Sequence, residues 1–311
     1  MFCFLLNKWK TEAINTSLRI STADTLRFMK TSETYSVSDT PPKSQTGTTQ
    51  KPSRVAFLGS VRSVLVGVGM FAGMELLLAR PSAIWSVLFV LVGVTLVLVV
   101  SHGSRAWRSQ TDRNVVVLSL VLTASSVVFL LFPSGKIVQH TAAVILSVAV
   151  ASLIFLLRRP VEQATSGVRY KPSEAFVLLT AFLVFTDIAG LSLFFSYWNP
   201  TWNLTFMMLA LVLAAVGLGY QFYVFQGLPR ERLAIHVSLL GLLIAQVAWG
   251  LTFWPTDAFS RGAVLFVIFY LFVGLSKHAV KKSFTWPIFA EYMGTSAAML
   301  ILLLATTQWT F

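Results

Sequence analysis

Long apolar runs separated by short polar connections dominate the sequence after residue 60. Two of them, residues 83–100 and 115–132, contain no charged side chain. A helix of about 20 apolar residues crosses the ~30 Å hydrocarbon core of a bilayer, and backbone in lipid must satisfy its own hydrogen bonds. The runs lack the period-two alternation of membrane barrels. The pattern therefore predicts an all-α, polytopic transmembrane helix bundle.

We predict nine spans, each bounded by polar or turn-forming residues. They lie at residues 63–79, 83–101, 114–132, 138–157, 175–196, 203–223, 234–254, 261–277 and 287–307.

The basic residues alternate between the connections. Those after the second, fourth, sixth and eighth spans hold twelve, whereas the intervening ones hold only Arg80, Lys136 and Arg261. By the positive-inside rule, the N-terminus is cytoplasmic and the C-terminus is outside.

Composition supports a membrane protein with a polar N-terminal tail. The chain is 56% hydrophobic and 12% charged, whereas soluble domains carry about 25% charged residues. Its net charge of +12 follows from topology, so no nucleic-acid partner is expected. Residues 1–60 are rich in Ser and Thr, which predicts a mostly disordered cytoplasmic tail before a membrane domain at 61–311. Short loops and the absence of a cleavable signal favour a bacterial cytoplasmic (inner) membrane.

A proline follows each of the first four outward spans. These prolines are Pro81, Pro133, Pro200 and Pro255. Their recurrence is compatible with tandem duplication of a two-helix hairpin, although proline is also common just beyond helix ends.

Asp187 is the leading candidate for a functional residue. It lies near the middle of an otherwise uncharged stretch, where an aspartate costs roughly 2.5–3.5 kcal/mol on insertion scales. Glu75, Ser126 and Gln246 fall at a similar depth, with Trp249 one turn beyond Gln246. Asp187, Glu75, Ser126 and Gln246 form a hypothetical polar layer. Together with Trp249 they are the five candidate residues of a substrate or ion pathway. Two plainer interpretations remain open: Asp187 as a structural hydrogen-bonding residue, and Glu75 as the partner of Arg80 in an interfacial ion pair.

A second polar group is predicted at the cytoplasmic face. It contains His236, Lys277, Lys281, Lys282 and Glu291. Such a basic patch can bind anionic lipid headgroups, although ordinary positive-inside anchoring also accounts for it.

Gly69 and Gly73 form a small-xxx-small stripe in the first span. Such a stripe lets two helices approach closely, either within the chain or with a helix of a partner. No catalytic motif, cofactor-binding motif or metal-ligand cluster is recognisable, and we expect neither cofactor nor metal.

Three functions remain open from the sequence. A transporter-like carrier of a small molecule, lipid or proton predicts a water-accessible cavity that reaches Asp187. A non-enzymatic scaffold or complex subunit predicts a closed bundle around Asp187 together with an apolar groove or glycine face. An intramembrane enzyme acting on a lipid-linked substrate predicts convergent polar residues in a lateral cleft.

The predicted topology can be tested by cysteine labelling in a Cys3→Ser background. In intact cells, a membrane-impermeant maleimide should label Ser134→Cys and leave Thr165→Cys protected until the membrane is opened, because the positive-inside rule places the two connections on opposite sides. Equal labelling of both variants in intact cells would contradict the nine-span topology.

Overall fold

The computed structural model describes residues 54–100, 110–133, 135–156, 171–196, 200–228, 230–281 and 283–307. Within these ranges the chain forms nine α-helices and one short 3-10 turn at Pro81–Ala83. The helices are α1 (Arg54–Ala79), α2 (Ile84–Val100), α3 (Gln110–Phe129), α4 (Lys136–Leu156), α5 (Lys171–Ser196), α6 (Pro200–Phe225), α7 (Arg230–Thr252), α8 (Ala258–Val280) and α9 (Trp286–Thr306).

The helices identify an integral, multi-pass membrane protein. Each of the nine overlaps one predicted span, and seven are long and apolar enough to cross a bilayer. The apolar parts of α1 and α3, Ser63–Ala79 and Arg113–Phe129, are shorter. Seventeen helical residues extend about 26 Å, close to the lower limit for a span. The all-α prediction is confirmed, while the count of nine spans and the orientation of the termini stay predictions.

The first helix begins inside the range predicted as a tail. Arg54 already belongs to α1, so the helix extends seven residues into residues 1–60. The rest of the predicted tail, residues 1–53, lies outside the described residues.

The first eight helices pack as two rings of four. In the first ring, α1 contacts α2, α2 contacts α3, α3 contacts α4, and α4 returns to α1. The second ring repeats this order with α5, α6, α7 and α8, and α6 also contacts α8. In both rings the first helix packs extensively against the fourth. The packing therefore repeats every four helices, while the sequence hypothesis of tandem two-helix hairpins stays a prediction.

Helix α5 occupies the centre of the bundle and α9 its edge. The two rings meet where α3 contacts α5 and α6, and where α4 contacts α5. Of the apolar span of α5, 56% is buried within the protein, against 6% for α9. The main contact of α9 is with α8. Most of the surface of α9 therefore faces outward.

Close backbone approach explains why α5 and α8 form the most extensive helix pair. A Cβ atom at Gly262 would lie 2.5 Å from Cα of Thr186, a separation that real side chains do not tolerate. The absence of a side chain at residue 262 lets the two backbones meet, as small residues do in membrane helix pairs. One turn further along α5, Gly190 accommodates the ring of Phe132 in the same way.

We predict that Gly262→Ala destabilises the protein by about 1–3 kcal/mol, because the added methyl group forces α5 and α8 apart. Gly217→Ala is the matched control. Gly217 lies within α6 with open space where a Cβ would be, so alanine there should be neutral or stabilising by roughly 0.5–1 kcal/mol. Thermal unfolding of the purified protein in detergent measures both changes. Equal melting temperatures for the two variants would show that α5 and α8 are less closely packed than described.

Candidate functional site

Asp187 lies at the junction between the two rings. It belongs to α5, is 5% exposed, and has the hydroxyl group of Ser125 on α3 as a polar neighbour. Its Oδ1 atom is buried and makes no hydrogen bond within the described residues. A buried acceptor without a partner carries a desolvation cost of about 1–3 kcal/mol. The carboxyl group is therefore buried and incompletely satisfied.

Aromatic side chains fill the turn of α5 that precedes Asp187. The ring centroid of Phe182 lies 6.0 Å from that of Phe129 on α3 and 5.6 Å from those of Phe259 and Phe266 on α8. The edge-to-face geometry with the two α8 rings is the arrangement that aromatic pairs prefer. These rings form an apolar cluster that joins α3, α5 and α8.

The buried hydroxyl groups of α3 are satisfied differently from the carboxyl group. Ser119, Thr123 and Ser126 are fully buried. Each donates a hydrogen bond of 2.7–2.8 Å to the carbonyl oxygen four residues earlier in its own helix. Such a bond satisfies the donor of a hydroxyl group in an apolar interior, so the hydroxyl group needs no partner on a second helix. Asp187 has no equivalent bond to its own helix among the described contacts, which sets it apart from the surrounding polar residues.

The structure does not gather the five candidate residues of the predicted pathway at one buried site. Ser126 and Asp187 are buried. Gln246 and Trp249 are exposed on the surface of α7, and Trp249 is 59% exposed. Position along a span predicts only how deep a residue lies in the membrane. Which side chains meet also depends on how each helix is rotated about its axis, and the apolar runs do not encode that rotation.

Glu75 pairs with a histidine rather than with Arg80. Its Oε1 atom lies 2.8 Å from Nδ1 of His140 on α4. The pair is partly exposed and connects the first and last helices of the first ring. Sequence reasoning missed His140, although the predicted topology places both residues near the outer ends of their helices. A role for Glu75 in an ion pathway stays a prediction.

The cytoplasmic group is divided among several separate contacts. Lys277 Nζ lies 2.7 Å from Oε2 of Glu174 on α5, and Lys281 Nζ donates to Oε1 of Gln226 at 2.8 Å. His236 lies against the ring of Tyr223, with the centroids 6.0 Å apart. Glu291 is exposed on α9, and the side chain of Lys282 lies outside the described residues. Lipid binding by this group stays a prediction.

Glu174 is the partner that sequence reasoning missed. It lies in the first turn of α5, 103 residues before Lys277. The predicted topology implies that both residues lie near the cytoplasmic face, and their opposite charges were the signal available in the sequence. Because both side chains are about four-fifths buried, this bridge fixes the α5–α8 pair at the end opposite to Gly262.

An apolar cleft opens between α1 and α2, and the glycines of the predicted stripe differ in their relation to it. Gly73 packs against Leu91, whose side chain would lie 2.9 Å from an added Cβ. Gly69 lines the open cleft and has no atom within 4 Å of an added Cβ. Thr95 is the polar residue of a lining that is otherwise formed by aliphatic side chains, Met70 and Gly69. Pairing with a partner helix through Gly69 and Gly73 stays a prediction.

Asp187 is the ionisable group at this junction. A carboxylate buried without a cation is costly, and a proton removes that cost. No three His, Cys, Asp or Glu residues in the described part of the chain lie close enough to hold a metal ion. Within the described residues, the junction therefore offers one buried carboxyl group and no metal-ligand cluster.

We predict that Ser125→Ala destabilises the protein by about 1–3 kcal/mol, because it removes the polar neighbour of a buried carboxyl group. Ser126→Ala is the control, since that hydroxyl group bonds only to its own helix and its loss should cost less. The melting temperature in detergent reports both effects. When Asp187 is already replaced by Leu, Ser125→Ala should add little, so a fully additive double mutant would contradict the interaction.

Comparison with known proteins identifies the family of this chain. No curated protein and no solved structure matches the chain. One family model, described as a protein of unknown function (DUF5656), matches residues 61–306. The match covers all nine described helices except the beginning of α1, including Asp187 and the junction between the rings. The chain therefore belongs to the DUF5656 family.

Proposed function

We propose that this protein is a transporter-like carrier in which Asp187 binds and releases a proton as the two rings rearrange. The observation that carries the proposal is the buried Asp187 carboxyl group at the junction of the rings, with Oδ1 unpaired among the described residues. A residue with a purely structural role is normally satisfied when it is buried. Asp187 instead leaves an acceptor free at the level where ionisable residues of membrane proteins form proton relays.

The arrangement of the helices supports this proposal. Several carriers consist of parallel repeats that place their binding site near the bilayer midplane between the repeats. Here the two rings share one order of contacts, and Asp187 lies where α3 of the first ring meets α5 of the second. Rocking of one ring against the other would change the surroundings of this carboxyl group first.

A non-enzymatic scaffold or complex subunit is the second candidate function. Two observations favour it: the tight packing around Asp187, and the outward surface of α9, whose apolar span is 6% buried. The open cleft between α1 and α2 adds a second lipid-facing surface. In this function the bundle stays closed, and partner helices cover its edges.

The accessibility of Ser125 to water distinguishes the two functions. In a Cys3→Ser background reconstituted into proteoliposomes, Ser125→Cys should react with a small cationic methanethiosulfonate when a pH gradient is imposed, because a carrier opens the junction. Ser147→Cys is the matched control. Ser147 is a buried serine of the first ring, 3% exposed, and it packs against Met74 at the α1–α4 contact.

The carrier predicts that Ser125→Cys reacts roughly tenfold faster than Ser147→Cys, equivalent to about 1.4 kcal/mol in opening free energy. Adding Asp187→Asn should abolish the effect of the pH gradient on this rate. Equal protection of both cysteines, with and without the gradient, would overturn the carrier and favour the scaffold.

A further inference from the structure

The cleft between α1 and α2 lies at the end of this helix pair that is remote from the connecting turn. The turn at Pro81–Ala83 joins the two helices, and they pack closely where Leu91 occupies the space beside Gly73. Beyond this contact the cleft opens between them, along residues 65–70 of α1 and residues 90–98 of α2. In the predicted topology it lies in the cytoplasmic half of the membrane.

The lining of the cleft has a buried apolar part and an exposed rim. Val66, Met70 and Leu91 are buried, whereas Leu65 and Val90 are exposed. The exposed residues face the region that lipid occupies around a membrane helix bundle. The cleft is therefore an apolar groove that is open to the hydrocarbon core of the bilayer.

Thr95 does not make the cleft a polar site. Its hydroxyl group lies 3.5 Å from that of Thr123 on α3. Thr123 already donates a 2.8 Å hydrogen bond to the carbonyl oxygen of Ser119, so Thr95 is the donor of the pair. Because this donor is directed to α3, an occupant of the cleft needs no polar group to satisfy it.

The size of the cleft matches one hydrocarbon chain. Its volume is about 300 Å³. An apolar cavity of roughly 150 Å³ holds one benzene molecule, so the cleft has room for about a dozen carbon atoms. From Val90 to Leu98 it extends about 12 Å along α2. Volume and length together give a mean cross-section of about 25 Å², which is close to that of a single extended chain.

A partner helix does not fit this cleft. An α-helix with its side chains is about 10–12 Å across, so its cross-section exceeds that of the cleft several-fold. Pairing through a small-xxx-small stripe needs both small residues open to the partner, and Leu91 of the same chain covers Gly73. Gly69 is open, with no described atom within 4 Å of an added Cβ. The space above one glycine favours a flexible chain over a second backbone.

Membrane phospholipid supplies such chains at this depth. A chain in the cleft contacts α1 on one side and α2 on the other, whereas a chain on a convex helix surface has protein on one side only. Dispersion attraction grows with the number of atoms in contact, so the cleft holds a chain more tightly than the surrounding surface does. Arg54 and Arg62 belong to α1 at the same end as the cleft. Positive charge beside the cytoplasmic leaflet attracts anionic lipid.

We propose that the cleft between α1 and α2 binds one acyl chain of an anionic phospholipid from the cytoplasmic leaflet. Val66, Met70 and Leu91 contact the chain, and the absence of a side chain at Gly69 leaves room for it. The site belongs to the first ring and does not include Asp187. It therefore does not rest on the carrier function, and neither proposal fails with the other.

The test measures lipid retention by native mass spectrometry of the purified full chain in detergent. The probes are phosphatidylglycerol and phosphatidylcholine with identical acyl chains, and oleate. Gly69→Leu fills the cleft with a side chain that meets open space. We expect the original sequence to bind phosphatidylglycerol about tenfold more tightly than Gly69→Leu does. Gly69→Ala should be intermediate because its methyl group fills less of the cleft.

Gly93→Leu is the matched control for the same chemical change. Gly93 lies on α2, also has open space where a Cβ would be, and is not part of the lining of the cleft. This variant should retain phosphatidylglycerol like the original sequence. Melting curves of the three glycine variants verify that each is folded, and Gly69→Ala, the smallest change, preserves the test if Gly69→Leu unfolds.

Four outcomes would overturn the proposal. Equal retention by the original sequence, Gly69→Leu and Gly93→Leu would remove the site. Equal retention of phosphatidylglycerol and phosphatidylcholine would contradict the anionic lipid. Retention of oleate without phosphatidylglycerol would replace phospholipid by free fatty acid. A protein dimer that retains no lipid and is lost in Gly69→Leu would assign the cleft to a second copy of the chain.

Discussion

The close approach of α5 and α8 is the contact on which the remaining structure depends. It joins the first and last helices of the second ring, and a backbone without a side chain at Gly262 makes it possible. Lipid tails are as apolar as the helix surfaces, so burial of apolar area does not drive helix association in a bilayer. Shape complementarity and interhelical polar contacts must do so. The Glu174–Lys277 bridge supplies such a polar contact at the other end of the same helix pair.

The central position of α5 brings two different polar groups close to this contact. Asp187 has Ser125 of the first ring as its polar neighbour, whereas Ala189 and Ser192 line a small cleft inside the second ring together with Arg261. One helix therefore separates an acidic group from a basic group on its two sides. Each group has a buried polar atom, Oδ1 of Asp187 and Nε of Arg261, that makes no hydrogen bond within the described residues.

The positions of the helices could be predicted from the sequence because the bilayer imposes them. Uncharged runs such as residues 83–100 can only be satisfied as helices in lipid. The helices observed begin and end within four residues of the predicted spans, except that α1 begins nine residues earlier. The lateral arrangement could not be predicted. Gln246 and Asp187 share a predicted depth but face different ways, because hydropathy fixes depth and leaves rotation free. The Glu75–His140 pair joins residues 65 positions apart, and only packing determines that α1 meets α4.

The closure of each ring has a consequence for how the protein is made. During synthesis, α1 is made well before α4, yet α4 is its most extensive neighbour. The same delay separates α5 from α8. In each ring, the first helix therefore lacks its main partner until the fourth helix has been made. Until then Glu75 has no contact with His140, and Thr186 has none with Gly262. The order of contacts therefore predicts assembly in two steps of four helices, with α9 added last beside α8.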